Sequence, residues 1–177
     1  MLPKICIAFT GLIAAIQASI LPRDFCFGGD PVYKVCFGSP NGGPENLDVE
    51  DIPKAAAYLR SYGRSTSPPG LLTIAAAGEN NCTFVTLYTY GTVKVVAKHI
   101  NFTHTTSVLF EDVADAIDGG EFPTTSSVEK AVISCGWKGG KIEVNATASR
   151  PEYHTQEFLD SGAITNGILV NLVSSRT

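Results

Sequence analysis

Residues 83–100 read TFVTLYTY, then Gly91, then TVKVVAKHI. Thr83–Tyr90 and Thr92–Ile100 are rich in Thr, Val, Phe and Tyr, residues that fit a pleated, half-buried surface. A glycine between two such runs is a hairpin signal, and strands joined by a short turn run antiparallel. This stretch decides the fold class, because it sets an antiparallel sheet at the centre of the chain.

Further strands are expected on both sides of it. Upstream, Leu71–Ala77 is an apolar run bounded by Gly70 and Gly78. Downstream, strands are expected at Val128–Cys135 and Lys141–Ala148, joined across Gly139-Gly140. Two helices fill the gaps. Ile52, Ala55, Ala56 and Leu59 recur at i, i+3, i+4, i+7, with Asp48 and Asp51 as N-cap candidates and Gly63 as a stop. Phe110, Val113, Ala114 and Ile117 repeat the pattern and end at Gly119-Gly120. The expected architecture is therefore α+β: an antiparallel sheet of about five strands with two helices packed on one face.

The ends divide from this core. Residues 1–18 have the plan of a cleavable secretory signal: Lys4, an apolar run from Ile5 to Ile16, and a small residue, Ala18, at the cut. Gln17, Pro22, Arg23 and Asp24 end the run short of the roughly 20 apolar residues that a membrane span needs. Residues 19–47 form an irregular Gly- and Pro-rich segment, residues 48–149 the core, and residues 150–177 a tail. Its one apolar run, Ile168–Val173, is expected to pair at an edge or stay loosely held.

Hydrophobic residues make up 44% of the 177 and charged residues 17%, enough apolar material for one domain with a core. Cleavage after Ala18 would remove one base, Lys4, and take the net charge from −4 to −5. An acidic chain without a basic block is a poor partner for nucleic acid. Cleavage would also remove Cys6 and leave Cys26, Cys36, Cys82 and Cys135. Four cysteines in an exported chain read as two disulfides with three possible connectivities. Two of the three tie the Cys26–Cys36 segment to the rest of the domain, and these are favoured. Without a CxxC pair, zinc is not expected. Three sequons, at Asn81, Asn101 and Asn145, offer N-glycan acceptors on a secretory route.

Chemistry is harder to find. Glu111, Asp112, Asp115 and Asp118 lack the alternating ligands of a calcium loop and read as the solvated face of the second helix. His99, His104 and His154 match no metal-ligand spacing. A ribonuclease-like site pairing His99 or His104 with Glu111, and Arg60 or Arg64 as its cation, can be assembled only on paper. No nucleophile motif, P-loop or cofactor signature occurs. Trp137 reads equally as an exposed binding aromatic or a cap on the core, and Tyr88 and Tyr90 are further aromatic candidates for a carbohydrate or cell-wall surface.

The order of leader, short helix, strand ending near NNCTF (80–84), helix VLFEDVADAID (108–118) and strand closing on a cysteine resembles small secreted fungal effectors. Among them it is most similar to the necrosis-inducing extracellular effectors related to the smut-virus killer toxin. The likeness covers about Asp48 to Cys135 and rests most on Cys82-Thr83-Phe84 and on Asp112-Val113 through Ile117. Those effectors commonly carry a cysteine in the first helix, whereas Ile52–Leu59 has none and Cys36 lies upstream. The resemblance implies a secreted, extracellular virulence or competition protein without catalytic machinery, acting on a host or competitor protein or a cell-surface component. It carries over no functional residue. The alternatives are a secreted ribonuclease-like hydrolase and a carbohydrate-binding module.

Overall fold

The computed structural model describes residues 30, 32–66, 70–76 and 83–176. The expected signal peptide, Cys26, Cys82 and Asn81 lie outside the described residues. The fold is α+β. Its main sheet has five strands, β1 (Val35–Cys36), β3 (Val85–Tyr90), β4 (Val93–His99), β6 (Gly140–Glu143) and β7 (Ile168–Ser174). They lie in the order β1-β6-β7-β4-β3, and every neighbouring pair is antiparallel. β2 (Leu71–Ile74) and β5 (Thr106–Leu109) form a separate antiparallel ribbon.

The opening hairpin forms as expected. Tyr90 pairs with Val93 across Gly91-Thr92, and an irregularity between Thr86 and Tyr88 breaks the register once. Gly91 has φ +53°, and a Cβ there would meet the Asp51 carboxylate at 2.1 Å. Only glycine fits that turn. Asp51 does not cap its helix. It accepts instead from the Thr92 backbone N–H at 2.9 Å and the Thr92 hydroxyl at 3.1 Å. The N-cap is Glu50, without a side-chain cap bond. The carboxylate thus ties the start of α1 (Asp51–Ser65) to the hairpin turn.

α1 and α2 (Phe110–Asp118) cover one face of the main sheet. Ile52, Ala55, Ala56 and Leu59 from α1, and Val113, Ala114 and Ile117 from α2, meet Val93, Val95 and Ala97 of β4 and Ile168, Val170 and Leu172 of β7 in one core. The two helical stripes read from sequence are these buried faces. Each Val, Leu or Ile side chain so buried contributes about 1.5–3 kcal/mol before the opposing chain entropy.

Three expectations about strands are corrected. Ile168–Val173 is neither edge nor loose: β7 lies between β4 and β6. Its run is apolar on both faces because both are covered, and its first five residues are buried. Val128–Cys135 is not a strand. It falls in α3 (Thr125–Lys130) and a 3₁₀ segment, Val132–Lys138, separated by extended Ala131. Thr124 and Ser127 cap α3 reciprocally. Val128, Ala131, Val132 and Cys135 keep the i, i+3, i+4, i+7 spacing, and that period outweighs their β-branched content. Lys141–Ala148 is a strand only to Glu143. β5 had no expectation at all. A further 3₁₀ turn, Pro151–His154, and α4 (Gln156–Ser161) lead into β7.

Among the described residues, Cys36 and Cys135 form a disulfide, with Cα atoms 5.2 Å apart. It joins β1 to the 3₁₀ segment 99 residues later, and so ties the N-terminal segment to the domain. Among the described residues, no helix is long and apolar enough to cross a membrane.

Candidate functional site

The acidic residues of α2 were expected to face solvent, but Asp112 is buried and Glu111, Asp115 and Asp118 are half-buried against arginines. The Asp112 side chain is 0% exposed. Arg150, arriving from the chain after β6, reaches three of them: Nε donates to Asp112 Oδ1 at 2.9 Å, Nη1 to Glu111 Oε2 at 2.6 Å and Nη2 to Asp115 Oδ2 at 2.9 Å. Arg60 of α1 donates to Asp115 and Asp118 at 2.9 Å each. Arg64 pairs with Glu111 and Glu121. Burial works against the charges of Arg60 and Arg150, but the facing carboxylates outweigh it and hold both guanidinium groups above their ordinary range. The Tyr153 hydroxyl donates to Asp112 and accepts from the Leu109 backbone N–H at 2.8 Å. Burial first, then the Asp112 contact, pushes that phenol well above its usual value.

This network removes the pieces of the paper ribonuclease site. Both Glu111 oxygens are engaged by arginines. His99 is buried, its Nε2 bonded to Thr106 Oγ1 at 2.8 Å. Among the described residues its Nδ1 has no partner of good geometry, although the Ala75 backbone opposes the fall in pKa that burial causes. His104 is exposed and bonds Thr103 at 2.7 Å. His154 contacts the Ala148 carbonyl at 2.9 Å. Among the described residues, no three His, Cys, Asp or Glu converge as a metal site.

The grooves offer little unspent chemistry. A groove of about 510 Å³ between α1 and the chain after α2 is lined by Pro53, Ala57, Pro123 and Val128, with the paired Arg60 and Arg64 on its rim. A second, of about 280 Å³, lies between the β2–β5 ribbon and α4 and carries five hydroxyls. Thr73 and Ser107 bond each other at 2.7 Å, and Thr155 caps α4.

The surface feature that stands out is aromatic. Tyr58 and Tyr62, one turn apart on α1, are each 43% exposed, and Tyr90 is 39% exposed. Tyr88 and Tyr90 stand opposite Val95 and Val93, so they project from β3 on the helix-covered side. The Tyr58 and Tyr88 rings stack with centroids 3.6 Å apart and planes 6° apart. Tyr62 continues the row at 6.3 Å from Tyr58, with its outer end against Phe110. Lys54, one turn before Tyr58, lies 5.6 Å from the Tyr90 ring. The row runs where α1 crosses β3, one of the two edge strands of the main sheet among the described residues.

Sequence reading named Tyr88 and Tyr90 but missed Tyr58 and Tyr62. Their spacing of four on a helix, on the flank of the apolar stripe, was the available signal. Trp137 is 49% exposed at the other side of the sheet, in the 3₁₀ segment bonded to β1. Comparisons of the chain with family models, curated proteins and solved structures gave no match.

Proposed function

We propose that the chain is a secreted, non-catalytic binding protein of the effector or toxin-like kind, acting outside the cell on a host or competitor protein. The single observation behind this reading is the tyrosine row of α1 and β3. Tyrosines are favoured at recognition surfaces because they bury a large apolar body while the hydroxyl still finds a partner. A contiguous exposed row of them is unusual on a surface with no partner. The histidines, Glu111 and the arginines, by contrast, are engaged in the fold's own contacts.

The row favours a protein over a polysaccharide as partner. A sugar ring needs a bare aromatic face, and Tyr58 and Tyr88 each spend one face on the other. The half-exposed tyrosines offer a mixed apolar and hydroxyl surface, which suits a polypeptide. The carbohydrate reading is left with Trp137 and Tyr90.

The same reading carries a second disulfide, Cys26–Cys82. With Cys36 and Cys135 joined, these two remain once a leader ending at Ala18 is removed. Their neighbours in sequence meet at one point: Lys98 of β4 pairs with the Asp30 carboxylate and lies 5.2 Å from the Phe84 ring. Cys26 is four residues from Asp30 and Cys82 two from Phe84. At about 3.3 Å per residue, both are within reach of the Cα separation that a bridge needs. Peptide mapping without reduction is expected to recover Cys26 and Cys82 in one linked fragment.

The functional test is infiltration of purified mature protein into host tissue and its addition to competitor cultures. A response that is lost in the Tyr62→Ser, Tyr90→Ser double variant at unchanged thermal stability is the expected result. No response across a broad panel, or a double variant with full effect, would overturn the reading.

A further inference from the structure

We infer that Asn145 carries an N-linked glycan whose first sugars lie in two adjoining grooves beside β6, and that Asn101 carries none. The inference rests on the secreted reading, since the transfer occurs only on an exported chain. In that transfer the Asn145 Nδ2 bonds to C1 of the first N-acetylglucosamine, and the C1–O bond to a lipid pyrophosphate donor breaks. The amide loses one proton, and the lipid pyrophosphate leaves.

The two sequons sit in different surroundings. Asn145 and Thr147 are both exposed, on the chain just past β6. Among the described residues, the Asn145 side chain makes no hydrogen bond. It lines two grooves at once, of about 310 Å³ and 190 Å³, which share Glu143. Val32, Val144 and Asn166 flank it on one side, and Lys130, Ala131 and Ile142 on the other. That mixture of aliphatic patches and polar tips suits the two characters of N-acetylglucosamine, an apolar ring face and methyl group within a rim of hydroxyls.

Asn101 is closed off by the fold. It is half-buried, and its Oδ1 accepts from its own sequon hydroxyl, Thr103 Oγ1, at 2.9 Å. That hydroxyl is also bonded to His104. Gly167, at φ +103°, is pressed so close that a Cβ on it would lie 2.5 Å from the Asn101 Cβ. The same glycine's carbonyl accepts from the Ile100 N–H at 2.8 Å, next to the start of β7. A glycan at Asn101 has to displace this contact as the inner strand docks. At Asn145 nothing has to move.

The position also matters for the proposed binding surface. β7 and β4 lie between β6 and β3. A glycan at Asn145 is therefore rooted three strands away from the tyrosine row.

The test expresses the full chain in a eukaryotic secretory host, with its own leader in one arm and a leader of established export in the other. Secreted protein is mapped by mass spectrometry before and after enzymatic removal of N-glycans, which leaves aspartate at each occupied asparagine. Asn145 is expected to be occupied and Asn101 bare. Asn145→Gln is expected to abolish the glycan on this part of the chain, and Asn101→Gln to leave it. Trimming the glycan from the folded protein is expected to lower its unfolding midpoint. A bare Asn145 in exported protein, equal occupancy at Asn101, or an unmoved midpoint would overturn the inference. Glycosylation at Asn145 seen only with the substituted leader would support it and count against the secreted reading.

Discussion

Replacing Arg150 with methionine should destabilise the domain well beyond the loss of an ordinary surface ion pair. The side chain is 25% exposed and makes three charge-assisted hydrogen bonds to α2. The loss is not shared equally among its partners. Glu111 keeps Arg64, and Asp115 keeps Arg60. Asp112, with no exposed side-chain surface, keeps only the Tyr153 hydroxyl. Breaking a buried pair from one side costs about 3–5 kcal/mol, and partial exposure of Arg150 puts this case near about 3 kcal/mol. For a domain of this size that is roughly 6–12 °C in Tm, at about 2–4 °C per kcal/mol. Urea and thermal unfolding followed by circular dichroism, with the disulfide intact, would measure it. Arg150→Lys keeps the charge but not the three-way fork, so it should lose about half as much. In an Asp112→Asn background the loss from Arg150→Met should shrink, because the stranded group is no longer charged. A loss below about 1 kcal/mol, the level of a surface pair, would refute the reasoning. So would an undiminished loss in the Asp112→Asn background.

Three further outcomes follow from the same contacts. Tyr153→Phe leaves the Leu109 N–H and an Asp112 oxygen buried without their partner, and should cost about 1–3 kcal/mol in urea unfolding. His99 is held below the ordinary histidine value by burial, so the unfolded chain takes up its proton first as pH falls. Stability should therefore decline from about pH 6.5 down to the lowered folded value, and His99→Gln should flatten that part of the urea-midpoint profile. Ending the chain at Asn166 removes β7 and should abolish cooperative unfolding; a truncated protein with a sharp transition would show that the inner strand is dispensable.

Much of the fold was legible because its signals are local. The hairpin at 83–100 needed only β-branched runs and a glycine turn, and the two apolar stripes were visible at helical spacing. The failures came where two local signals competed or where the partner lay far away. Val128–Cys135 carries both β-branched residues and a helical period, and capping between Thr124 and Ser127 tips it to helix. Ile168–Val173 looked like an appendage because its partners, His99 and Glu143 among them, are 69 and 26 residues from Ile168 and Leu169 in the register. An apolar run without alternation was nonetheless the mark of a strand covered on both faces. The acids of α2 looked solvated because nothing near them in sequence is basic, and Arg60, Arg64 and Arg150 reach them only through tertiary packing.

By itself the sequence determined the α+β class, the antiparallel hairpin, both main helices and their buried faces, since each depends on residues within one or two turns of one another. It also supplied five cysteines and three sequons, but not their fates. Only the tertiary structure decided that Cys36 bonds Cys135, that the acidic face is ion-paired around a buried Asp112, and that Tyr58 and Tyr62 join Tyr88 and Tyr90 in one row. Those outcomes depend on which distant segments are brought within a few ångströms, and that depends on the sheet order β1-β6-β7-β4-β3, which no local pattern encodes.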